Sequence, residues 1–168
     1  EGVSAEHRAF TAPANLIPPG CDRIEPDMLP LIGLTEAEIE RIVATVPGGA
    51  ANVQDIYPLA PLQDGLLFFH LLHRQNDPYV LPALFRVENR VRFEALTDAL
   101  QRVVDRHDVL RTAVLSENLS KPVQVVYRRA ELRVEMIELD PAQDAVSQMK
   151  ARFNEPQVMD IARAPMLR

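Results

Sequence analysis

Five prolines in the first 34 residues, Pro13, Pro18, Pro19, Pro26 and Pro30, constrain this chain more than any other feature. Each fixes φ and removes a backbone donor, so neither a helix nor a central strand can run through them. The same region is acidic. Residues 1–49 hold three Lys/Arg against eight Asp/Glu, while the remaining residues hold 15 against 16. Residues 1–49 therefore read as a Pro-rich, acidic interdomain linker, distinct from residues 50–168. Within it, Thr35-Glu36-Ala37-Glu38 has the form of a capping box, and Ile39, Ile42, Val43 and Val46 share one helical stripe before the Pro47-Gly48-Gly49 stop. A short amphipathic helix is expected near 35–46.

Past the linker the pattern is mixed. Pro61 suits the first turn of a helix running through Gln63 to about residue 74, ahead of Pro78. Residues 79–87 alternate enough for a strand, with Pro82 marking an edge or bulge. Phe93, Leu96, Leu100, Val103 and Val104 follow a 3.6-residue period and predict a core-facing helix. Strands are expected at 110–115, 122–127 and 132–139, a further helix at 141–153, and the approach to another strand at 161–168. With no cap or polar tail there, the sequence reads as continuing beyond Arg168.

Composition narrows the function classes. A chain that is 47% hydrophobic and 25% charged can bury a core. Its apolar runs are far shorter than the roughly 20 residues of a membrane helix. It has no signal-peptide pattern, so a cytoplasmic location is expected. A net charge of −6 argues against a nucleic-acid partner. The single cysteine, Cys21, has no His or Cys near it at metal-ligand spacing, so no metal site is expected. Phosphate-loop, Gly-x-Ser-x-Gly and His-Glu-x-x-His patterns are absent.

Two stretches concentrate chemistry. On the helix from Pro61, Gln63, Leu66, Leu67, His70 and His73 share a broad face. There His70 either packs beside its apolar neighbours or, as a neutral imidazole, moves a proton near neutral pH. His73 suits the negative end of the helix. The second stretch, RHDVLRT at 106–112, sets Arg106, His107, Asp108 and Arg111 at a helix end. Its arginines can grip a carboxylate bidentately in a way lysine cannot, as a structural clamp or as support for a reacting site.

The segment YPLAPLQDGLLFFHLL resembles the first conserved block of nonribosomal peptide synthetase condensation domains, and RHDVLRTAV, about forty residues further on, resembles the second. PVQVVYRRAEL and MDIARAPMLR are similar to that family's connecting segments. NLIPPGCDRI and IVATVPGGAANVQDIYPLAP are similar to the linker that joins a carrier domain to such a domain. The window from Phe69 to Asp77 resembles the His-His-(Ile/Leu)-x-x-x-x-Gly-Asp motif of the dual epimerization/condensation subclass. It matches at His70, Leu71 and Asp77 and departs at Phe69 and Asn76. An apolar ring at 69 removes any proton transfer by the first histidine, and Asn restricts the backbone where the motif has Gly.

The resemblance implies an α/β chain of the α+β sandwich kind, most of the N-terminal lobe of a chloramphenicol-acetyltransferase-like fold, ending before the His-His-x-x-x-Asp-Gly motif. It implies that the parent protein joins carrier-bound aminoacyl or peptidyl thioesters, with epimerization of the donor as a further activity. Isolated residues 1–168 would then be inactive. His70 and Asp77 are the implied catalytic residues, with Gln63, Arg106, His107 and Arg111 lining or supporting the substrate tunnel. No cofactor is expected to bind directly. The phosphopantetheine arms of upstream and downstream carrier domains are substrates, and a C-terminal lobe is the remaining partner. Two alternatives stay open: a non-catalytic docking module for a carrier domain, and part of a stand-alone epimerization domain.

Overall fold

The computed structural model describes residues 15–73, 79–154 and 159–167. Its centre is a three-stranded antiparallel sheet of β1 (Val53–Pro58), β2 (Thr112–Leu115) and β3 (Val123–Tyr127), in the order β1-β3-β2. Val53 lies opposite Tyr127 and Pro58 opposite Val123, with a bulge between Val53 and Asp55. On the other side Thr112 pairs with Val126 and Leu115 with Val123. All five residues of β3 are buried, as expected of a middle strand covered on both faces.

Side chains along β3 alternate between two environments. Val123, Val125 and Tyr127 join Val53 and Ile56 in the main core, whereas Gln124 points to the other face and meets helix α2 (Pro61–Leu72). The core is completed from the N-terminal segment. Ile17, Ile24, Leu29, Ile32 and Leu34 are buried in the same cluster, as are Ile39, Ile42 and Val46 on and just after helix α1 (Glu36–Thr45). The acidic, Pro-rich segment thus contributes eight apolar side chains to the core, of which Ile39, Ile42 and Val46 belong to the expected helical stripe. Polar ties accompany them. Arg128 Nη2 donates to the Ile17 carbonyl at 2.7 Å and Asn15 Nδ2 to the Gln54 carbonyl at 2.6 Å. One 3-10 turn, Pro26–Met28, interrupts the otherwise irregular path of residues 15–34.

Helix α1 forms where the capping box is read. The Thr35 side chain accepts from the Glu38 amide, and the Glu38 carboxylate accepts from the Thr35 amide. Helix α3 (Arg90–Arg106) opens on Asn89, whose Oδ1 accepts from the Arg92 amide. Only Val104 of its apolar stripe is fully enclosed, with Leu96, Leu100 and Val103 between 38% and 45% exposed. A 3-10 turn, Asp108–Arg111, links α3 to β2, so the expected strand at 110–115 begins two residues late. Helix α4 (Ala145–Asn154) likewise begins inside the expected 141–153.

Two expected strands do not form. Residues 79–87 and 132–139 carry no strand, and Leu81, Phe85 and Met136 are at least 74% exposed. Alternation provides a strand with a face, but the strand exists only when a neighbour supplies the ladder. Neither β1 nor β2 pairs with either segment. Residues 161–167 form a turn and irregular backbone rather than a strand, with one ladder-like contact: the Val114 amide donates to the Ile161 carbonyl at 2.8 Å.

Candidate functional site

The two chemistry-bearing stretches both close onto β3. From α2, the Gln63 amide pairs reciprocally with the Gln124 amide, Nε2 to Oε1 at 2.9 Å and the reverse at 3.0 Å. Gln63 Oε1 also caps the first turn by accepting from the Ala60 amide at 2.7 Å, and Gln124 Nε2 reaches the Pro58 carbonyl at 3.2 Å. Gln124 is buried, so the pairing satisfies an amide that would otherwise be costly there. Both polar atoms of Gln63 are committed to this lock between α2 and the sheet.

From the second stretch, Arg111 is 5% exposed and works as a hub. Its Nη1 donates to the Tyr127 carbonyl, to the Arg128 carbonyl at 3.1 Å and to Gln54 Oε1 at 3.1 Å. Its Nη2 donates to Asp108 Oδ1 at 2.5 Å, and Gln54 Nε2 meets the other Asp108 oxygen at 2.8 Å. Arg111 Nε is buried and finds no partner among the described residues. One guanidinium therefore joins the 3-10 turn after α3 to the end of β3 and to β1.

His70 occupies a different place. Half-buried on α2, it lines a cleft of about 430 Å³ bounded by α1, the β2–β3 hairpin and residues 159–162. Arg41 and Thr45 line the α1 side, Leu71 stands beside His70, and Glu117 and Asp160 add carboxylates. His73 ends α2, with its Nδ1 3.1 Å from the Phe69 carbonyl and its ring stacked on Phe69 at 6.2 Å. Arg106 and His107 are exposed at the C-terminus of α3 and do not line the cleft. Asn76 and Asp77 lie outside the described residues. The structure thus brings Gln63 and Arg111 together through β3 and keeps His70 apart from Arg106 and His107.

Three polar residues that sequence reasoning did not single out hold this arrangement. Gln54 bridges Arg111 and Asp108, and Gln124 receives Gln63. Asn52 donates Nδ2 to the Pro47 and Arg129 carbonyls at 2.8 and 3.0 Å and accepts from the Arg129 amide at 2.9 Å. Gln124 had a visible signal, a lone amide inside the apolar run VQVVY. Glu38 exceeds its capping role, because its carboxylate also accepts from the Ser120 amide at 2.7 Å, 82 residues away. Hydrogen bonds from Ser120 and Thr35 hold its pKa down at about 2. On β1, burial raises the Asp55 carboxyl and the Tyr57 phenol above their ordinary values.

Among the described residues, no group of three or more His, Cys, Asp or Glu is placed to hold a metal ion, and no helix is long and apolar enough to cross a membrane. The chain resembles known proteins over most of its length. It is 49% identical over 165 residues to Malpinin synthetase of Mortierella alpina, covering 97% of this chain and 2% of the relative. It is 48% identical over 166 residues to Malpibaldin synthetase of the same organism, covering 98% and 3%. Gramicidin S synthase 2 of Brevibacillus brevis matches at 31% over 122 residues, covering 70% and 3%. The chain therefore spans only 2% to 3% of the length of these relatives. The crystal structure of holo T3CT is similar at a TM-score of 0.43 and 18% identity, over 67% of this chain and 25% of that one. The family model described as Condensation domain matches residues 53–168, from the first strand through both chemistry-bearing stretches, and the chain belongs to the condensation-domain family.

Proposed function

We propose that this chain supplies the carrier-to-condensation linker and the N-terminal, chloramphenicol-acetyltransferase-like lobe of a nonribosomal peptide synthetase condensation domain. The carrying observation is the convergence of the two family blocks on one buried strand. Gln63 of the first block and Arg111 of the second fasten α2 and the α3–β2 turn to β3, and so fix the side of α2 that bears His70. The parent protein joins a donor aminoacyl or peptidyl thioester to the amine of an acceptor, each carried on the phosphopantetheine arm of a neighbouring carrier domain. The arms are substrates that enter and leave.

In this reading Arg111 is a positioning residue, and Arg106 and His107 support the turn that contains it. His70 faces the reacting donor, and as an imidazole it can take and return a proton at the donor's α-carbon. Asp77 completes the motif with it. Epimerization is the second activity that the dual-class resemblance adds, and Phe69 and Asn76 are the departures that weigh against it.

The test uses the intact synthetase with both carriers loaded, reading the peptide on the downstream carrier by mass spectrometry and the donor's configuration by chiral analysis. Peptide formation by the wild type supports the reading. Carrier binding without any product supports the docking-module alternative. His70→Ala is expected to lower the D-configured fraction of the product at least tenfold if the domain epimerizes, and unchanged rates of both steps would remove His70 from the site.

A further inference from the structure

The condensation-domain match begins at residue 53, yet the cleft holding His70 takes one wall from α1, which ends at Thr45. We propose that α1 is a specificity-determining wall of that cleft. Arg41 and Thr45 select the acyl group admitted beside His70, and Glu38 is the positioning residue that holds the wall in place. The inference deepens the function proposed above and rests on it.

The wall is fixed rather than draped. Ile39 and Ile42 are 2% and 1% exposed in the main core, so α1 cannot slide without opening apolar surface. The Glu38 carboxylate ties the first turn to the β2–β3 hairpin through the Ser120 amide. The opposite side is pinned as well, since the Ile161 carbonyl accepts from the Val114 amide of β2. A cleft held from both sides can discriminate by shape, whereas one walled by a loose tether would yield to whatever entered it.

Two of the side chains facing it lie outside the core. Arg41 and Thr45 are four residues apart, lie on the same side of α1, and are exposed. The Thr45 hydroxyl donates to the Ile42 carbonyl of its own helix at 2.7 Å. Across the cleft stand Leu115, Leu119 and Ile161, with His70 at the α2 side. The cleft is half open, its lining is mainly apolar with Arg41, Thr45, His70, Glu117 and Asp160 as polar groups, and its volume of about 430 Å³ has room for an acyl group with a branched aliphatic or aromatic body.

The experiment compares two donors in the intact synthetase, with the apo upstream carrier loaded by a phosphopantetheinyl transferase from synthetic leucyl- and alanyl-coenzyme A. Thr45→Trp is expected to lower the ratio of single-turnover condensation rates for leucyl over alanyl donor at least fivefold, because the larger ring fills the cleft against the bulkier acyl group. Arg41→Trp, one turn earlier and equally exposed, is expected to shift the ratio in the same direction and replaces Thr45→Trp should that variant misfold. A merely structural role would lower both rates together and leave the ratio unchanged, which overturns the inference alone. A wild type that forms no peptide bond with either donor overturns the proposed function and this inference with it.

Discussion

Arg111 joins three stretches of chain with one planar group, which is why its loss should exceed that of an ordinary ion pair. Its partners include two backbone carbonyls at the end of β3 and the Gln54 amide, all inside or at the margin of the core. The Asp108 side chain is 56% exposed, so that ion pair alone contributes little. Removing the guanidinium takes a donor from both carbonyls and from Gln54 Oε1, and Arg111→Ala is expected to cost about 2–4 kcal/mol in urea unfolding of the condensation domain. Arg111→Lys should recover less than half of that, because one ammonium cannot reach carbonyl, amide and carboxylate in a single plane. Glu38 makes the complementary case with pH. Its folded pKa of about 2 lies below the ordinary 4.5, so its contribution is complete above pH 4.5. As the pH falls, the unfolded chain takes up the proton first, and the contribution fades until it is lost near pH 2. The stability gap between wild type and Glu38→Gln should therefore be widest near neutral pH and close on acidification, read as the difference between denaturation midpoints at each pH. A gap independent of pH would mean that packing rather than charge holds α1.

Between elements, the Gln63–Gln124 pair is the polar joint of α2 against the sheet, and it should behave as a unit. Gln63→Leu leaves the buried Gln124 Oε1 without its partner, and Gln124→Leu does the same to Nε2 of the half-buried Gln63, each at about 1–3 kcal/mol. The double variant removes both amides and should cost less than the sum, with a coupling of about 1 kcal/mol in a thermodynamic cycle. Additive losses would show that the two amides are satisfied independently. Legibility in sequence follows the same division between local and distant bonds. Helices α1 and α2 could be read from the capping box of Thr35 and Glu38 and from Pro61, because the groups that start them are neighbours in the chain. β2 and β3 were visible as apolar runs. The expected strands at 79–87 and 132–139 failed for the opposite reason, since alternation reports a face but not the presence of a neighbouring strand. Arg111 was legible as a candidate clamp through its residue type, while Gln54, its partner 57 residues away, carries no local signal. The cleft around His70 could not be read at all, because its walls come from four separated stretches.

At the scale of the whole molecule, the N-terminal segment is the feature whose composition misleads most. Acidic and Pro-rich, it resembles a solvated tether, yet the segment and α1 place Ile17, Ile24, Leu29, Ile32, Leu34, Ile39, Ile42 and Val46 in the core. These side chains cover Val53, Ile56, Val123 and Val125, each no more than 1% exposed. A condensation domain begun at residue 50, near the start of the family match, would leave that sheet face bare. Uncovering four such residues forfeits about 1.5–3 kcal/mol apiece, comparable with the roughly 5–15 kcal/mol that holds a whole domain together. The domain begun at residue 50 should therefore melt without a cooperative transition, or more than about 10 °C below the same domain begun at residue 15. Differential scanning calorimetry of the two, carried to the same C-terminus, decides the matter. Equal transitions would show that the sheet keeps its face closed unaided and that the segment only lies upon it. A collapse would make residues 15–46 part of the folding unit rather than a segment that merely lies against it.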